Sequence, residues 1–360
     1  MLDRIPDLAR KGRGAVSNPD GRFEPRQHLA IDDGWPRSED DAAAPLATTL
    51  TPDASRTIIA RNASPDIPFE QSINPYRGCE HGCVYCYARP SHGYLGLSAG
   101  LDFETRLFFK PEAARLLRAE LARPGYRPRP IALGSNTDPY QPAERRLQLT
   151  RQILEVLAAH GHPLTIVTKS AAVVRDIDIL APMSARRLAK VFVSVTTLDR
   201  DLARRLEPRA SSPQRRLAAI RDLAAAGVKV GVMTAPIIPA LTDHEVEALL
   251  EAAADAGAGS AGYTVLRLPN ELKDLFAEWL ATHAPLRARH VLSRVTQLRG
   301  GKMNDPRFGT RLTGEGEDAR LIARRFRLAC GRLDLGRNDW ALDTSQFRVP
   351  RPSDPQLSLF

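Results

Sequence analysis

The chain has 360 residues, 43% of them hydrophobic, enough to bury a real core in one large α/β domain with extensions or in two modest domains. Four cysteines are too few for a disulfide scaffold. No apolar run reaches the ~18 residues of a membrane span, and the opening MLDRIPDLARKGRG has no apolar signal-peptide core, so the expectation is a soluble cytoplasmic protein with reduced thiols and no membrane partner. The net charge of +9 suits a polyanionic partner, most often nucleic acid, and it is uneven: residues 275–360 carry 15 Lys and Arg against 9 Asp and Glu.

In chain order, residues 1–65 show little periodicity and are rich in Gly, Pro, Ser and charge, as in KGRGAVSNPDGRF and DDGWPRSEDDAAAP. They read as an extended or partly disordered, flexible N-terminal extension. From residue 66 short β-type runs recur: 68–74, 130–136, 163–170, 190–197, 228–238 and 261–268. Their β-branched, nearly continuous apolar character predicts parallel strands buried on both faces. Helical patterns lie between them. Residues 143–161 place Leu149, Ile153, Val156 and Leu157 on one face and end at Gly161; 211–227 open with a Ser cap and an early Pro and end at Gly227; 242–257 start at Thr242 and Asp243 with Glu245 in a capping-box position. Such βα units predict a (β/α) barrel or partial barrel over 66–275, with an open doubly wound sheet as the alternative, followed by a basic C-terminal region, 276–360. Either fold puts its chemistry at the C-terminal ends of the strands. The polar residues there are Thr137 and Asp138, Lys169 and Ser170, Ser194 with Thr196 and Thr197, and Pro236, with three cysteines after the first strand.

Those three follow the pattern Cys79-x3-Cys83-x2-Cys86 in NPYRGCEHGCVYCYARP. Three thiolates leave a four-coordinate zinc site incomplete unless His81 joins, no second CxxC knuckle is present, and Cys330 is isolated. An iron–sulfur cluster is the remaining reading; with three local ligands one iron keeps open positions for a substrate or cofactor. This spacing, with Tyr85 just before the last Cys, resembles the signature of radical S-adenosylmethionine (SAM) enzymes. The resemblance implies a partial (β/α)6 TIM-like barrel, a [4Fe–4S] cluster on Cys79, Cys83 and Cys86, S-adenosyl-L-methionine chelated at the fourth iron, an external electron donor, and reductive cleavage to a 5′-deoxyadenosyl radical that abstracts a hydrogen from the substrate.

SINPYRGCEHGCVYCYARP, GSNTDPYQPAE and VTKS resemble more narrowly the spore photoproduct lyase-like branch, over roughly residues 66–270. That resemblance puts SAM contacts at Tyr87, Thr137, Lys169 and Ser194, with Lys169 pairing with the SAM carboxylate and Tyr87 packing on the adenosine part. One departure stands out: the branch carries a Cys hydrogen donor at the end of the second strand, where this chain reads Ser135-Asn136-Thr137-Asp138. A Ser O–H is a much stronger bond than S–H, so a tyrosine or Cys330 donates instead, or the reaction differs.

The terminal QLSLF resembles the pentapeptide by which bacterial replication and repair proteins dock on the DNA polymerase sliding clamp. Gln356 would take a polar notch and Leu357, Leu359 and Phe360 an apolar groove, tethered by the Pro-rich RVPRPSDP. Lys302, Arg307 and Arg311 are candidates for phosphate contact. Together these features predict a radical SAM enzyme acting on a DNA lesion. The alternatives are the same chemistry on RNA, protein or a small molecule, and a non-enzymatic, zinc-bearing, clamp-associated DNA-binding protein.

Overall fold

Each of the six β-type runs forms a strand of one sheet in the computed structural model, which describes residues 8–25, 46–336 and 341–350. In chain order the strands are β1 (Thr49–Pro52), β2 (Ile59–Arg61), β3 (Gln71–Ile73), β4 (Tyr76–Arg77), β5 (Arg106–Phe109), β6 (Ile131–Leu133), β7 (Leu164–Thr168), β8 (Ala189–Ser194), β9 (Lys229–Ile237) and β10 (Ala261–Val265). The seven-stranded sheet runs β10-β9-β8-β7-β6-β3-β2. From β3 to β10 every pairing is parallel, and only the edge strand β2 is antiparallel. The parallel strands follow one another without the reversal in order that defines a doubly wound sheet, and β2 and β10 lie at opposite edges. The architecture is therefore the partial barrel. A three-stranded sheet, β1-β5-β4, sits beside it.

The helices between the strands follow local chemistry. Pro213–Ala225 starts at Ser212, whose hydroxyl accepts from the Arg215 N–H, with Pro213 in the first turn; the chain turns at Gly227 with φ +77°. The expected helix at 143–161 is two helices, Glu144–Leu147 and Leu149–Ala159, joined by Gln148 at φ 49°. The Glu144 carboxylate accepts from the Thr150 N–H at 3.1 Å and so satisfies an orphan donor of the second helix. The capping box expected at 242–257 does not form. The helix starts at Val246 with no side-chain cap, and Glu245 instead accepts from the Thr197 hydroxyl at 2.8 Å and the Leu198 N–H at 2.5 Å. Those donors sit in the loop after β8, where nothing else would satisfy them, and they win the carboxylate.

Burial on both strand faces holds in β3 and β6, whose residues are all buried; in β7–β10 it is complete only toward the helices. There Ile166, Val191, Val193 and Val232 are fully buried with Ile153, Leu157, Ile220 and Leu250. The inner face is half-covered: Thr165, Val167, Lys190, Phe192 and Met233 are all intermediate. Gly231 leaves room for this face, since a Cβ there would stand 2.6 Å from the Phe192 ring. The inner face of these strands is thus less tightly covered than the face toward the helices.

Both flanks pack on the sheet, the N-terminal one at its C-terminal rim. The segment Arg13–Ser17, expected as part of a loose extension, is buried. The helix Leu272–His283 spans the expected boundary at 275–276, and its Phe276 and Trp279 share an apolar cluster with Val84 and Tyr85 of the cysteine loop. Helix Gly316–Arg332 packs on Val246–Asp255, where Arg325 pairs with Glu247 at 2.5 Å, and on β10, where Phe326 lies 4.6 Å from the Tyr263 ring. Among the described residues no helix is long and apolar enough to cross a membrane.

Candidate active site

The loop after β4 turns at Gly78, φ +79°, and again at Gly82, φ +67°. A Cβ at Gly82 would meet the Glu104 carboxylate at 2.6 Å, so this turn takes only glycine. Short backbone bonds coil the loop: Gly82 N–H to Cys79 O, Cys86 N–H to Cys83 O and Arg89 N–H to Cys86 O. Arg89 is fully buried and uses all five of its donors. Nε bonds Cys83 O at 2.8 Å, Nη1 bonds Ala99 O and Gly100 O, and Nη2 bonds Gly82 O and Glu104 Oε1. Glu104 is also fully buried; it accepts the Gly14 N–H at 2.9 Å and the Ala15 N–H at 2.8 Å. One salt bridge thereby ties the cysteine loop to the N-terminal segment. Burial of an unpaired Arg or Glu is costly, so both charges hold their partners in place.

The thiols of Cys79, Cys83 and Cys86 lie inside this cage. Burial pushes all three upward from the ordinary thiol value, Cys79 and Cys83 strongly. The acidic and imidazole side chains of the loop face elsewhere. Glu80 pairs with Arg209 at 3.1 Å, and His81 Nδ1 faces Asp138 at 3.3 Å. Burial alone would raise Asp138, but the adjacent His81, the Lys169 N–H and the Thr168 hydroxyl hold its carboxyl at about 2. His81 is therefore not arranged as the fourth ligand a Cys3His zinc site needs. Among the described residues no three His, Cys, Asp or Glu side chains are grouped to hold a single metal ion.

A second buried charge network supports the other side. Tyr85 donates to Glu207, which pairs with Arg216 and accepts from the Thr196 hydroxyl at 2.7 Å. Arg216 and Glu207 are each 1% exposed. Lys169, at the end of β7, donates from Nζ to Ala235 O at 3.1 Å and lies 5.8 Å above the Tyr85 ring. Burial lowers its amine from the ordinary lysine value, while Cys83 opposes that.

The sheet brings the other expected residues to the same rim with different degrees of freedom. Tyr87 is half-exposed; its hydroxyl donates to Ser135 O, and the Arg267 guanidinium lies 5.1 Å over its ring. The Thr137 hydroxyl is already committed, donating to Tyr76 O at 3.0 Å. Ser194 ends β8, is buried, and its carbonyl accepts from Arg216. Ser135 Oγ accepts from the Asn74 amide at 3.2 Å. Cys330 is elsewhere: it lines a cavity with Ala261, the first residue of β10, at the opposite end of the sheet. Its helix carries it there, and it cannot donate a hydrogen atom at the rim. Arg307 and Arg311, expected as phosphate contacts, are neutralised internally, Arg307 by Asp305 and Glu315 and Arg311 by Asp66 at 2.6 Å. Lys302 remains exposed. Gln356, Leu357, Leu359 and Phe360 lie outside the described residues.

Sequence reasoning missed Arg89, Glu104, Glu207 and Arg216. Arg89 lies three residues past Cys86 with a Pro after it, which was a local signal; the three others are set by contacts distant in sequence.

The profile described as "Radical SAM superfamily" matches residues 73–253, half of the chain, from β3 to the helix that follows β9. The chain belongs to the radical SAM superfamily. Superfamily members use a [4Fe–4S] cluster and S-adenosylmethionine with an external electron donor, so this chain is a radical SAM enzyme. An uncharacterized protein of Mycobacterium tuberculosis is 41% identical over 234 residues, 64% of this chain and 68% of that protein. One from Methanocaldococcus jannaschii is 30% identical over 173 residues, 48% of this chain and 62% of that protein. The fold resembles that of spore photoproduct lyase complexed with dinucleoside spore photoproduct, with a TM-score of 0.57, 17% identity and 79% of each chain covered. A cysteine-to-serine mutant of spore photoproduct lyase aligns with a TM-score of 0.56 and 18% identity over 79% of each chain.

The donor set fits the superfamily cluster. Three thiols share one buried loop, and the loop's remaining carboxylate and imidazole are engaged elsewhere. Such a set would supply three ligands to a cluster and would leave its fourth iron without a protein ligand.

Proposed function

We propose that this radical SAM enzyme acts on nucleic acid, with a DNA base lesion as the substrate class, and that Cys79, Cys83 and Cys86 hold its cluster. One observation carries the substrate reading: a half-exposed phenol, Tyr87, lies directly after the last cysteine, with the Arg267 guanidinium against its ring. An aromatic face backed by a cation suits a flat base and its phosphate. The net charge of +9 agrees with that ligand, as does the fold shared with an enzyme that binds a dinucleoside photoproduct.

When bound, the cluster and S-adenosylmethionine supply a 5′-deoxyadenosyl radical at the open mouth of the barrel. The chain's own residues do the rest. Arg89 and Glu104 fix the loop and keep water from the thiols. Lys169 has two N–H groups left after its bond to Ala235 O, and these would pair with the SAM carboxylate when it is bound. Tyr87, which the family resemblance would set against the adenosine, takes the substrate base here on the ring face that Arg267 leaves free, and its hydroxyl is the X–H group at the mouth in place of the thiol absent at Ser135. Ser194 and the Thr137 backbone line the remaining wall. Gln356, Leu357, Leu359 and Phe360 form the peptide that brings the enzyme to a sliding clamp.

The test is anaerobic reconstitution with iron and sulfide, reduction with S-adenosylmethionine, and quantification of 5′-deoxyadenosine with and without UV-irradiated DNA, beside Cys83→Ala. Cysteine-dependent product that rises with damaged DNA supports the reading. Product indifferent to DNA removes the substrate assignment and leaves the RNA, protein or small-molecule alternatives.

A further inference from the structure

On the outer side of the cysteine loop lies a cavity of about 230 Å³ between β3, β4, the end of β5 and the turn of 3-10 helix Arg89–Leu95. It is lined by Asn74, Arg77, Ser91, Tyr94, Lys110 and Asn136, among others. It is smaller than the roughly 300–1,000 Å³ of pockets that enclose a whole small molecule. It suits one part of a larger ligand whose remainder stays outside.

Its chemistry is cationic and aromatic. The Lys110 amine forms no hydrogen bond or ion pair closer than 4 Å among the described residues; Asp53, which also holds Arg77, and Glu120 attract it from farther away. Arg77 spends only Nε, on Asp53 at 2.6 Å, and its two terminal nitrogens make no hydrogen bond among those residues. The Ser91 hydroxyl and the Asn136 amide add neutral donors. Tyr94 is 73% exposed at the cavity's edge, against Phe23 at 5.3 Å between ring centroids, with the Arg22 guanidinium 5.3 Å over the Tyr94 ring. An aromatic this exposed on a helical turn buries nothing of the protein's own core. A paired cation site beside an exposed, cation-backed ring is the combination that holds a phosphate and stacks the attached base.

The cavity is separated from the active-site mouth by a single layer of side chains. Asn74 accepts from the Asn136 N–H at 3.0 Å and donates to Ser135 Oγ, and the Ser135 carbonyl receives the Tyr87 hydroxyl. A strand with one nucleotide at Tyr87 would reach the cavity with a neighbouring nucleotide.

We infer that this cavity is a flanking-nucleotide subsite, in which Lys110 and Arg77 hold a backbone phosphate and Tyr94 stacks the adjoining base. The inference rests on nucleic acid being the substrate and adds where the unreacted part of the strand is held.

The test uses the full-length, anaerobically reconstituted protein and fluorescence anisotropy with two labelled probes, a ten-residue oligothymidylate and an abasic oligomer of equal length, at about 50–200 mM salt. Lys110→Ala weakens both probes about tenfold and lowers the slope of log affinity against log salt by about 1. Tyr94→Ala weakens the oligothymidylate about tenfold and leaves the abasic probe unchanged, while Tyr94→Phe behaves as wild type. Lys110→Arg, which keeps the charge, retains most of the binding. Both side chains face solvent or the cavity, so iron content and far-UV circular dichroism stay at the wild-type values. Wild-type affinity in both alanine variants overturns the subsite while leaving nucleic-acid binding intact. A wild-type protein that binds neither probe overturns the nucleic-acid reading and the subsite with it.

Discussion

Two regions of this enzyme are rich in ion pairs and use them in opposite ways. Around the cysteine loop, Arg89–Glu104 and Arg216–Glu207 are 0–1% exposed on both sides. Toward the C-terminus, Arg332–Glu251 is 61% and 48% exposed, and Arg307 is 63% exposed where it meets Asp305 and Glu315. Breaking a buried pair leaves an uncompensated charge and costs about 3–5 kcal/mol, whereas exposed pairs contribute about 0–1 kcal/mol. The same residue types therefore do different jobs. Inside, they lock one geometry for three thiols. Outside, they adjust surface charge and remain free to exchange partners.

The largest effect that sharpens this contrast is Arg89→Met. It strands Glu104 and frees the carbonyls of Gly82, Cys83, Ala99 and Gly100. Denaturant unfolding is expected to show a loss of about 3–5 kcal/mol, and iron bound per chain after reconstitution is expected to fall with it. Full iron loading in that variant would break the link between the buried pair and the loop.

A buried group away from the loop separates burial from function. His162 is fully buried; its Nε2 lies 2.8 Å from the Tyr126 hydroxyl, which itself donates to Gln71 Oε1 at 2.9 Å, and its Nδ1 lies 3.0 Å from Pro163 O. Burial lowers its pKa to about 4 from 6.5. The folded state binds this proton less readily than the unfolded chain, so the stability contribution is complete above pH 6.5 and is lost as pH falls from about 6.5 to about 4. The loss reaches about 3 kcal/mol. Thermal melts across that range, compared with His162→Gln, read it as a flattened pH dependence in the variant, with iron content at neutral pH unchanged.

Gly14→Ala tests the N-terminal contribution. The added Cβ would stand 1.8 Å from Gly82 O, and overpacking of this kind costs about 1–3 kcal/mol. Limited proteolysis near residue 14 is expected to accelerate, with the sheet's melting transition shifted less than in Arg89→Met. The smallest effect belongs to the exposed region: Arg332→Gln is expected to change stability by less than about 1 kcal/mol in the same unfolding assay. A loss equal to that of Arg89→Met would erase the contrast.

Much of this was legible in the sequence where the signal is local. The β-branched runs gave all six parallel strands, because buried strands must be apolar whatever they pair with. The Cys79-x3-Cys83-x2-Cys86 spacing singled out the loop, because three of the chain's four cysteines fall within eight positions. Ser212, Pro213 and Gly227 marked a helix through backbone chemistry within a few residues. Contacts across long separations were not legible. Nothing around Gly14 announces Glu104, and nothing around Glu245 announces the Thr197 hydroxyl that draws it from its cap. Arg311 looked like a free cation because its partner, Asp66, is 245 positions away. The less tightly covered inner face was invisible for another reason: Val167 and Phe192 read as fully buried core residues, yet on the inside of the barrel they are only partly covered.

The bond between Gly14 and Glu104 also orders events during synthesis. Its two ends are 90 residues apart, and at about 5–20 residues per second the ribosome delivers the second on the order of ten seconds after the first. The cysteines emerge within that interval, ahead of the carboxylate that seats Gly14 and Ala15 over their loop. The nascent loop is thus uncovered for a time, until the N-terminal segment closes over it.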